Sequence, residues 1–508
     1  MAAAHSGRGA VHGRYRRARR GRALAAVVLL GAGACTLEPH YERPALPVAS
    51  AYPTGPAYTS SAPVQSIAAS PPTAGGTPAP ELGWRDVLQD PRLQRLVEMA
   101  LANNRDLRIA VLNVETARAQ YGIQRSALLP TLAANGAAAR GRGSLSLFEP
   151  GSSVKDNYEA YLSVSWTLDF FGRVRSLEKS ALENYLATAQ ARKASEILLI
   201  SEVANQYLTL LAADEALRVT DGSLGIARES TRIAQLKFDT GSGSELDLRE
   251  AQGSLEQALA QDSAERRARA QAENALVLLI GAPLPAALPA GLPLEGQQLM
   301  LDIPAGLPSE LLARRPDVIA AEDQLLAANA NIGAARAAFF PAISLTGALG
   351  SVSPVLRQLF QSGSGAWGVE PTATLPLFTG GLNSANLEAA RAQRGIAVAQ
   401  YEKTVQTAFR EVADGLAARA TYEDQAAAEE RLVALEERRL ALSQMRYKNG
   451  VDSYLTLLEA QTDLNNAQLA RVNVSLERLT NLVTLYQDLG GGWIERKGDA
   501  PRTSDTPP

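Results

Sequence analysis

The sequence predicts a mixed α/β membrane protein built from two structural repeats, in which long helices are joined to short strands. Three observations lead to this fold class. The stretches 172–281 and 378–499 contain no proline. Several runs of about ten residues alternate between apolar and polar side chains. Matching residues recur at a nearly constant separation in the two halves of the chain.

Residues 1–34 are interpreted as an export signal. Six arginines lie within 14–22, and an apolar segment, 23–30, follows them before a group of small residues. Cys35, the single cysteine, comes next, where bacterial lipoproteins carry their acylated cysteine. We therefore predict diacylglycerol and palmitate on Cys35. Ala32 stands where such signals usually have leucine, and the alternative is plain cleavage that leaves a free thiol.

The charge of the mature chain argues against nucleic acid as a partner. Loss of residues 1–34 removes seven arginines and no acidic residue, which changes the formal net charge from −3 to −10. The three histidines are at positions 5, 12 and 40, so the body of the chain has neither histidine nor cysteine. The commonest zinc sites and histidine-dependent nucleophiles need these residues. We expect no metal, no cofactor besides the lipid on Cys35, and no enzymatic activity.

The chain divides into a tether, two repeats and a tail. Residues 35–80 are predicted to be a lipid-anchored tether, because 44–80 contains nine prolines among small residues. Repeat 1 is assigned to 81–300 and repeat 2 to 301–492. Each is predicted to contain a helix, two strands, and a long helix that turns back into a second helix. Residues 493–508 are predicted to be a flexible C-terminal tail.

The proline-free stretches predict two long helical hairpins. Proline in a helix interior costs about 3 kcal/mol, so its absence over such lengths favours continuous helix. Gly241 and Gly450 mark the turns of the two hairpins. A helix over 173–240 would be about 100 Å long, and one over 389–449 about 90 Å long.

The alternating runs predict strands with one apolar and one polar face. Such alternation is typical of a strand that faces lipid on one side and water on the other. Trp166 and Trp367 are predicted to lie at the membrane interface. The alternative is an ordinary amphipathic hairpin on a protein core. The four predicted strands are 131–140, 161–170, 342–350 and 367–377.

A duplication explains the order of these segments. Asp106 matches Asp317 at a separation of 211 residues, and Gln235 matches Gln444 at 209. Four strands are too few for a membrane barrel, which needs about eight. Because open strand edges are not tolerated in lipid, such a chain has to oligomerise. A trimer would supply twelve strands around a hollow lumen, and a dimer eight around a filled one.

The ordered motifs of the mature chain resemble the TolC-like outer membrane factor family, in its branch of OprM/NodT-type lipoproteins. The resemblance covers nearly the whole mature chain. The matching motifs are CTLEPHYERP at 35–44, GWR at 83–85, LDFFGR at 168–173, RRPDV at 314–318 and RYKNGVDSYLTLLEAQ at 446–461.

This resemblance implies a trimer with a twelve-stranded β-barrel in the bacterial outer membrane, continuous with a helical barrel in the periplasm. It implies a channel subunit of a tripartite efflux pump that passively conducts drugs and other small molecules to the exterior. The implied partners are two further copies of this chain in a homotrimer, a periplasmic adaptor protein, an inner-membrane RND transporter and outer-membrane lipid.

The resemblance also places a gate at the periplasmic ends of the hairpins. Carried over by position, Tyr447 and Asp247 would form a phenol–carboxylate hydrogen bond that closes the channel. Leu455 and Glu459 are four residues apart and share a helix face, so three copies would form an apolar constriction with a carboxylate ring. Thr456 stands where some relatives have a further aspartate. The alternative is that Tyr447 packs within the coiled coil and Glu459 is a solvated surface charge.

Other function classes remain as alternatives. An outer-membrane duct for exported proteins would have the same fold, because cargo choice depends mainly on the pump. A periplasmic adaptor would have one helical hairpin flanked by a lipoyl-like β-domain, and a structural coiled-coil protein would lack the strand pairs.

Overall fold

The computed structural model describes residues 36–59, 79–142, 154–297, 299 and 314–499. The predicted signal peptide, Cys35, residues 60–78 of the predicted tether and residues 500–508 of the predicted tail lie outside these ranges.

Helices and strands follow one another in the same order in the two halves of the chain. The first half contains α1 (Trp84–Val87), α2 (Pro91–Asn103), α3 (Arg105–Ser126), β1 (Thr131–Arg142), β2 (Val154–Leu168), α4 (Arg173–Asp239) and α5 (Glu245–Ile280). The second half contains α6 (Pro316–Ala337), β3 (Ala342–Ser353), β4 (Gly365–Thr374), α7 (Leu382–Lys448) and α8 (Tyr454–Asp488). Short 3-10 helices lie at Pro56–Tyr58, Ala79–Glu81, Leu294–Gly296 and Leu356–Gln358.

The lengths of corresponding helices confirm the duplication. α3 and α6 each have 22 residues, and α4 and α7 each have 67. The returning helices α5 and α8 have 36 and 35 residues. Helices of 67 residues are about 100 Å long. Among the helices in the described ranges, none combines the length and hydropathy that crossing a membrane as a helix would require.

Some boundaries differ from the prediction for local reasons. α7 begins at Leu382 and not at 389, because Gly380 and Gly381 have φ of +60° and +89° and the helix forms directly after them. β4 ends at Thr374 and not at 377, and Pro376, just beyond it, has no N–H to donate to a ladder.

The second strand is longer than predicted and ends earlier. It covers Val154–Leu168, whereas alternation predicted 161–170. It ends at Leu168 because the side chain of the next residue, Asp169, caps the first turn of α4. The Asp169 carboxylate accepts a hydrogen bond from the backbone N–H of Arg175 at 2.9 Å, and this satisfies one free donor of that helix.

The described chain forms two compact units, and four of the five boundaries between them fall within helices. The first unit contains the described residues up to Arg43 together with Thr116–Tyr185 and Asp323–Val398. It holds a four-stranded antiparallel sheet in the order β1-β2-β3-β4. The second unit contains the described residues of Pro44–Glu115, Leu186–Glu322 and Ala399–Pro508.

Two hydrophobic clusters stabilise the second unit. The larger one joins α1 and α2 to α4, α5 and α8 through buried side chains that include Trp84, Tyr207 and Tyr486. Burying a large apolar side chain contributes about 1.5–3 kcal/mol. The smaller cluster lies at the turn ends of the two hairpins and includes Tyr447 and Tyr454. It holds together the segment in which the gate was predicted.

Candidate functional site: the amphipathic sheet and the hairpin ends

The sheet of the first unit has one apolar face. Residues directly opposite each other in antiparallel strands point to the same face, so the register assigns the faces. Leu162 of β2 lies opposite Leu349 of β3, which lies opposite Trp367 of β4. The large apolar side chains of this face include Leu132, Leu162, Val164, Trp166, Ile343, Leu345, Leu349, Trp367 and Val369, and the Arg140–Asp156 ion pair lies on the same face near the loop end.

The other face of the same sheet is polar. Its side chains include Thr131, Asn135, Ser163, Ser165, Thr346 and Glu370. In this single chain Trp367 is 79% exposed and Leu349 64% exposed, and both belong to the apolar face. A contiguous apolar surface of this kind requires a non-aqueous environment or a partner surface.

The sheet has two outer edges, formed by β1 and β4. Within the described residues, neither strand pairs with another strand on its outer side. Pro371 lies in β4, where an edge position tolerates a residue without an N–H. In hydrocarbon, each unpaired backbone group of such an edge costs several kcal/mol, so the sheet is incomplete as one chain.

Trp166 and Trp367 both lie on the apolar face but have different surroundings. Trp166 is partly buried, and its Nε1–H donates to the carbonyl oxygen of Leu128 at 3.0 Å. It lies near the helix end of β2, two residues before Leu168. Trp367 lies two residues from the loop end of β4. Their placement at the two membrane surfaces stays a prediction.

The two hairpin turns have nearly identical backbone chemistry. Gly241 and Gly450 have φ of +72° and +71°, a conformation that strongly favours glycine. Each turn is followed by a serine whose hydroxyl caps the next helix. The Ser244 hydroxyl accepts a hydrogen bond from the backbone N–H of Asp247 at 3.1 Å, and the Ser453 hydroxyl caps the start of α8 in the same way. The positions predicted to be helix-turn tips therefore lie at turns.

Tyr447 lies at the end of α7 in the smaller hydrophobic cluster and is only 4% exposed. Its ring packs edge-to-face on Tyr454, with 5.6 Å between ring centroids and an interplanar angle of 65°. The Nζ of Lys237 lies 3.8 Å from the centroid of the Tyr447 ring, and it also donates to the Tyr447 carbonyl oxygen at 3.2 Å.

The predicted hydrogen bond between Tyr447 and Asp247 is not formed within the described chain. The Tyr447 ring is instead held between Lys237 and Tyr454. Burial raises the pKa of the Tyr447 hydroxyl, and the charge of Asp247 raises it further. The two groups therefore interact by charge within one chain, and the contact that holds the ring comes from Lys237, which the sequence prediction did not include.

Leu455 and Glu459 lie together on the exposed side of α8. Leu455 is 50% exposed, whereas Tyr454, Leu457 and Ala460 of the same helix turns are buried. Glu459 is exposed as well. The buried residues face the neighbouring helices, so Leu455 and Glu459 present an apolar group and a carboxylate on the opposite side. Their role as a constriction stays a prediction.

Four strands with one apolar face, together with two helices of about 100 Å that are each followed by a returning helix of about 50 Å, are typical of the class of outer-membrane channel subunits. The model of the family described as outer membrane efflux protein matches residues 96–282 and 307–491. The chain belongs to this family.

Curated relatives and solved structures agree with this assignment. The chain is 45% identical over 470 residues to the probable efflux pump outer membrane protein TtgC of Pseudomonas putida, a match that covers 92% of this chain and 95% of that protein. It is 42% identical over 473 residues to outer membrane protein OprJ of Pseudomonas aeruginosa, covering 93% and 96%. The structure of the open state of the Neisseria gonorrhoeae MtrE outer membrane channel matches with a TM-score of 0.81 and 40% identity, covering 92% of this chain and 100% of that one.

These similarities confirm the predicted family, the fold class of long helices joined to a membrane sheet, and the location in the outer membrane with extension into the periplasm. The function predicted from the resemblance, an outer-membrane efflux channel, is confirmed with them.

Proposed function

We propose that three copies of the chain close a twelve-stranded barrel, in which β4 of one copy pairs with β1 of the next. The observation that carries this proposal is the sheet itself, which has an apolar face, a polar face and two unpaired outer edges. Three copies leave no edge in lipid and surround a lumen lined by the polar face. Small molecules then pass through the duct by diffusion, without a chemical step.

The proposal is tested by a pair of substitutions at adjacent positions of β2. Leu162→Arg places a charge on the apolar face, and Ser163→Arg places the same charge on the polar face. An arginine on the lipid face of a barrel costs about 2–4 kcal/mol at the bilayer midplane. The yield of heat-modifiable trimer in outer membranes should fall for Leu162→Arg and remain close to that of the parent chain for Ser163→Arg. Equal yields would contradict the assignment of faces.

The assembled protein should form pores. Purified full chain is expected to have the mass of a trimer in detergent, measured by light scattering, and to conduct ions in planar bilayers. A monodisperse monomer that is stable without detergent would refute the channel architecture.

The exported cargo and the partners are proposed by analogy with the family. Three relatives from Pseudomonas putida are named as outer membrane proteins of an antibiotic, a toluene and a solvent efflux pump. We propose small apolar compounds as the cargo of this chain, delivered by a periplasmic adaptor and an inner-membrane RND transporter. Deletion of the gene should increase sensitivity to such compounds. Unchanged drug sensitivity combined with loss of a secreted protein would favour the protein-export alternative.

The gate is proposed to lie at the turn ends of the hairpins, where Leu455 and Glu459 of three copies face one another. Glu459 is exposed, and the described residues include no ion-pair partner for it. A ring of three carboxylates favours cations. Glu459→Gln should lower the ratio of cation to anion permeability, measured from reversal potentials. Glu437→Gln, an exposed carboxylate on α7, is the matched control and should leave the ratio unchanged.

The lipid anchor on Cys35 is proposed from its position after the export signal. Metabolic labelling with a palmitate analogue should mark the parent chain and not Cys35→Ser. Equal labelling of the parent chain and Cys35→Ser would refute the proposed lipid anchor.

A further inference from the structure

The residues that follow the predicted lipid site are bound to helices of the first unit. Residues 36–39, here called the anchor segment, contact α4 and α6. The Lys179 Nζ of α4 donates to both carboxylate oxygens of Glu38, at 2.8 and 3.0 Å. The Asn329 Nδ2 of α6 donates to Glu38 Oε1 at 3.2 Å. The one carboxylate of the anchor segment is therefore bound by two helices at the same time.

Side chains of α6 also hold the backbone of the anchor segment. The Asn329 Nδ2 donates to the Pro39 carbonyl oxygen at 2.9 Å, and the Arg336 Nη1 donates to the Leu37 carbonyl oxygen at 3.0 Å. Asn329 and Arg336 are seven residues apart, which is about 10 Å along a helix. The anchor segment therefore runs antiparallel to α6, and its first residues lie nearest the end of α6 that leads into β3.

Gly333 makes room for the anchor segment between these two side chains of α6. It comes four residues after Asn329 and three before Arg336, so the three positions share one helix face. A Cβ at position 333 would lie 2.7 Å from the Ser176 Oγ of α4 and 3.0 Å from the N and Cα atoms of Glu38. Asn329 is fully buried, and the side chain of Glu38 is only 11% exposed. The groove between α4 and α6 is therefore fitted to the backbone and the carboxylate of this segment.

The duplicated helices do not repeat these binding residues. At the separation of 211 residues that relates α3 to α6, Arg118 corresponds to Asn329. Because α4 and α7 have equal lengths, their alignment pairs Lys179 with Glu388, which is an acid in place of a cation. A carboxylate would meet repulsion from Glu388 where it meets Lys179 in the groove. Among the described residues of these four helices, the set that binds Glu38 therefore occurs once per chain, as the N-terminus does.

A bound anchor segment limits the reach of the predicted lipid site. Cys35 comes three residues before Glu38, and an extended chain covers at most about 3.6 Å per residue. A chain held at Glu38 can therefore carry Cys35 no farther than about 11 Å from it. Toward its start, the segment runs to the end of α6, after which Phe339 and Phe340 are 43% and 41% exposed. Exposed aromatic side chains of this kind suit the boundary between water and lipid.

We propose that the groove between α4 and α6 is a binding site for the anchor segment, that it recognises the Glu38 carboxylate, and that it holds the lipid-bearing end of the chain beside the sheet. The described start of the predicted tether is then a bound segment and not a free spacer. Glu38 and Lys179 are positioning residues for the acyl chains. The placement of the acyl chains rests on the proposed lipid anchor, whereas the binding of the segment does not.

The test is limited proteolysis of the purified full-length protein by trypsin in detergent. Arg43 is the only lysine or arginine in 36–59, and trypsin does not cut the bond between it and Pro44. His40→Arg, at an exposed position, adds one cleavable bond beside the anchor segment. The rate of cleavage reports how often the segment leaves its groove. The chain with His40→Arg should be cut at least about ten-fold more slowly than a synthetic peptide of residues 36–46 with the same arginine, as measured by mass spectrometry.

Substitutions in the His40→Arg chain then test recognition of the carboxylate. Glu38→Gln keeps the shape of the side chain and removes its charge, and it should raise the cleavage rate about ten-fold. Glu42→Gln neutralises an exposed carboxylate four residues farther on and should leave the rate unchanged. Glu38→Lys and Lys179→Glu should each raise the rate, and their combination should restore protection, because the ion pair is reversed and the Asn329 amide can present its oxygen.

Three results would overturn the binding site. These are cleavage of the His40→Arg chain as fast as the peptide, equal rates for Glu38→Gln and Glu42→Gln, and no recovery in the doubly reversed chain. The failure of the other proposals is visible separately. If protection follows the expected pattern but palmitate does not label Cys35, the groove is retained and the placement of acyl chains is refuted. If the protected chain is a detergent-free monomer, the channel architecture fails and the groove is retained.

Discussion

Asp488 gives the second unit a stability that depends on pH. Its side chain is only 5% exposed at the end of α8. Burial raises the pKa of the Asp488 carboxyl from 3.8 to about 7; the nearby Arg315 cation opposes this rise, and the charges of Glu411 and Asp317 add to it. The substitution Asp488→Asn replaces the carboxyl by a neutral amide of similar shape and should remove this dependence.

The magnitude follows from the difference between the two pKa values. A carboxyl whose pKa is higher in the folded state binds a proton more tightly there, so its contribution is fully present below pH 3.8 and is lost as the pH rises through about 7. One pKa unit corresponds to about 1.4 kcal/mol. Between pH 5 and pH 8, the parent chain should lose about 2–3 kcal/mol of stability through this group.

The Arg315 guanidinium lies near the Asp488 carboxyl but donates its hydrogen bonds to other acceptors. It donates to the Asp488 carbonyl oxygen at 3.0 Å and to carboxylate oxygens of Asp317 and Glu411 at 2.7 and 2.8 Å. These bonds join the start of α6 to α7 and α8. Burial alone would lower the pKa of Arg315, but Asp317 and Glu411 outweigh it and the pKa is raised. With two carboxylates already paired to one cation, Asp488 is the acid that is left to take up a proton.

The assay compares the melting temperatures of detergent-solubilised parent and variant trimers at pH 5 and pH 8. The parent should lose about 5 °C more than Asp488→Asn over this range, since 1 kcal/mol corresponds to about 2–4 °C in domains of 150–250 residues. Asp414→Asn, which changes an exposed carboxylate on α7, should behave as the parent does. Parallel pH profiles for the parent and Asp488→Asn would show that Asp488 titrates normally and would refute the reasoning.

Two further substitutions test the contacts that fix the helices. Gly450→Ala should destabilise the trimer by about 1–2 kcal/mol, because an alanine is strained by that amount at a φ of +71°. The same change at Gly395, within α7, should not destabilise the trimer. An equal loss of stability at both positions would contradict the turn assignment. Tyr486→Phe removes the O–H that donates to the Leu82 carbonyl oxygen at 2.6 Å and should cost about 1–3 kcal/mol by leaving a buried acceptor unpaired. Thermal unfolding measures both, and an unchanged melting temperature for Tyr486→Phe would mean that water replaces the lost donor.

The architecture could be predicted from the sequence because duplication and proline-free length are both visible in it. A separation of about 209 residues and two glycine turns are enough to place two hairpins. The faces of the sheet were predictable for the same reason, since alternation at Leu162 and Trp367 reflects the pleat directly. Strand ends were less predictable. The start of β2 at Val154 lies in a segment that includes Lys155, Asp156 and Asn157, where polar residues continue the strand without alternation.

The contact of Tyr447 with Lys237 could not be predicted in the same way, because it joins residues more than two hundred positions apart. Tyr447 was correctly placed near a hairpin end, but its partner depended on which group reaches the ring. That information was present in the alignment of the two repeats, where Gly243 stands opposite Asp452. A cation retained after its carboxylate has been lost indicates a new partner, although only the structure identifies that partner as Tyr447.

The two repeats agree in the features that build the hairpins and differ in a polar contact at their turns. Helix lengths, the glycine turns and the serine caps are shared by the two hairpins, and these features determine where the chain reverses. If both turns were closed by an ion pair of the kind that joins Arg446 to Asp452, the Lys237 ammonium group would be held within its own hairpin. Replacing one carboxylate by Gly243 converts a contact within a hairpin into a contact between hairpins. This contact adds to the other links between the hairpins in the described chain, which are the smaller hydrophobic cluster and the hydrogen bonds of Gln461 with Ser230 at 2.9 Å and of Ser223 with Asn465 at 2.7 Å.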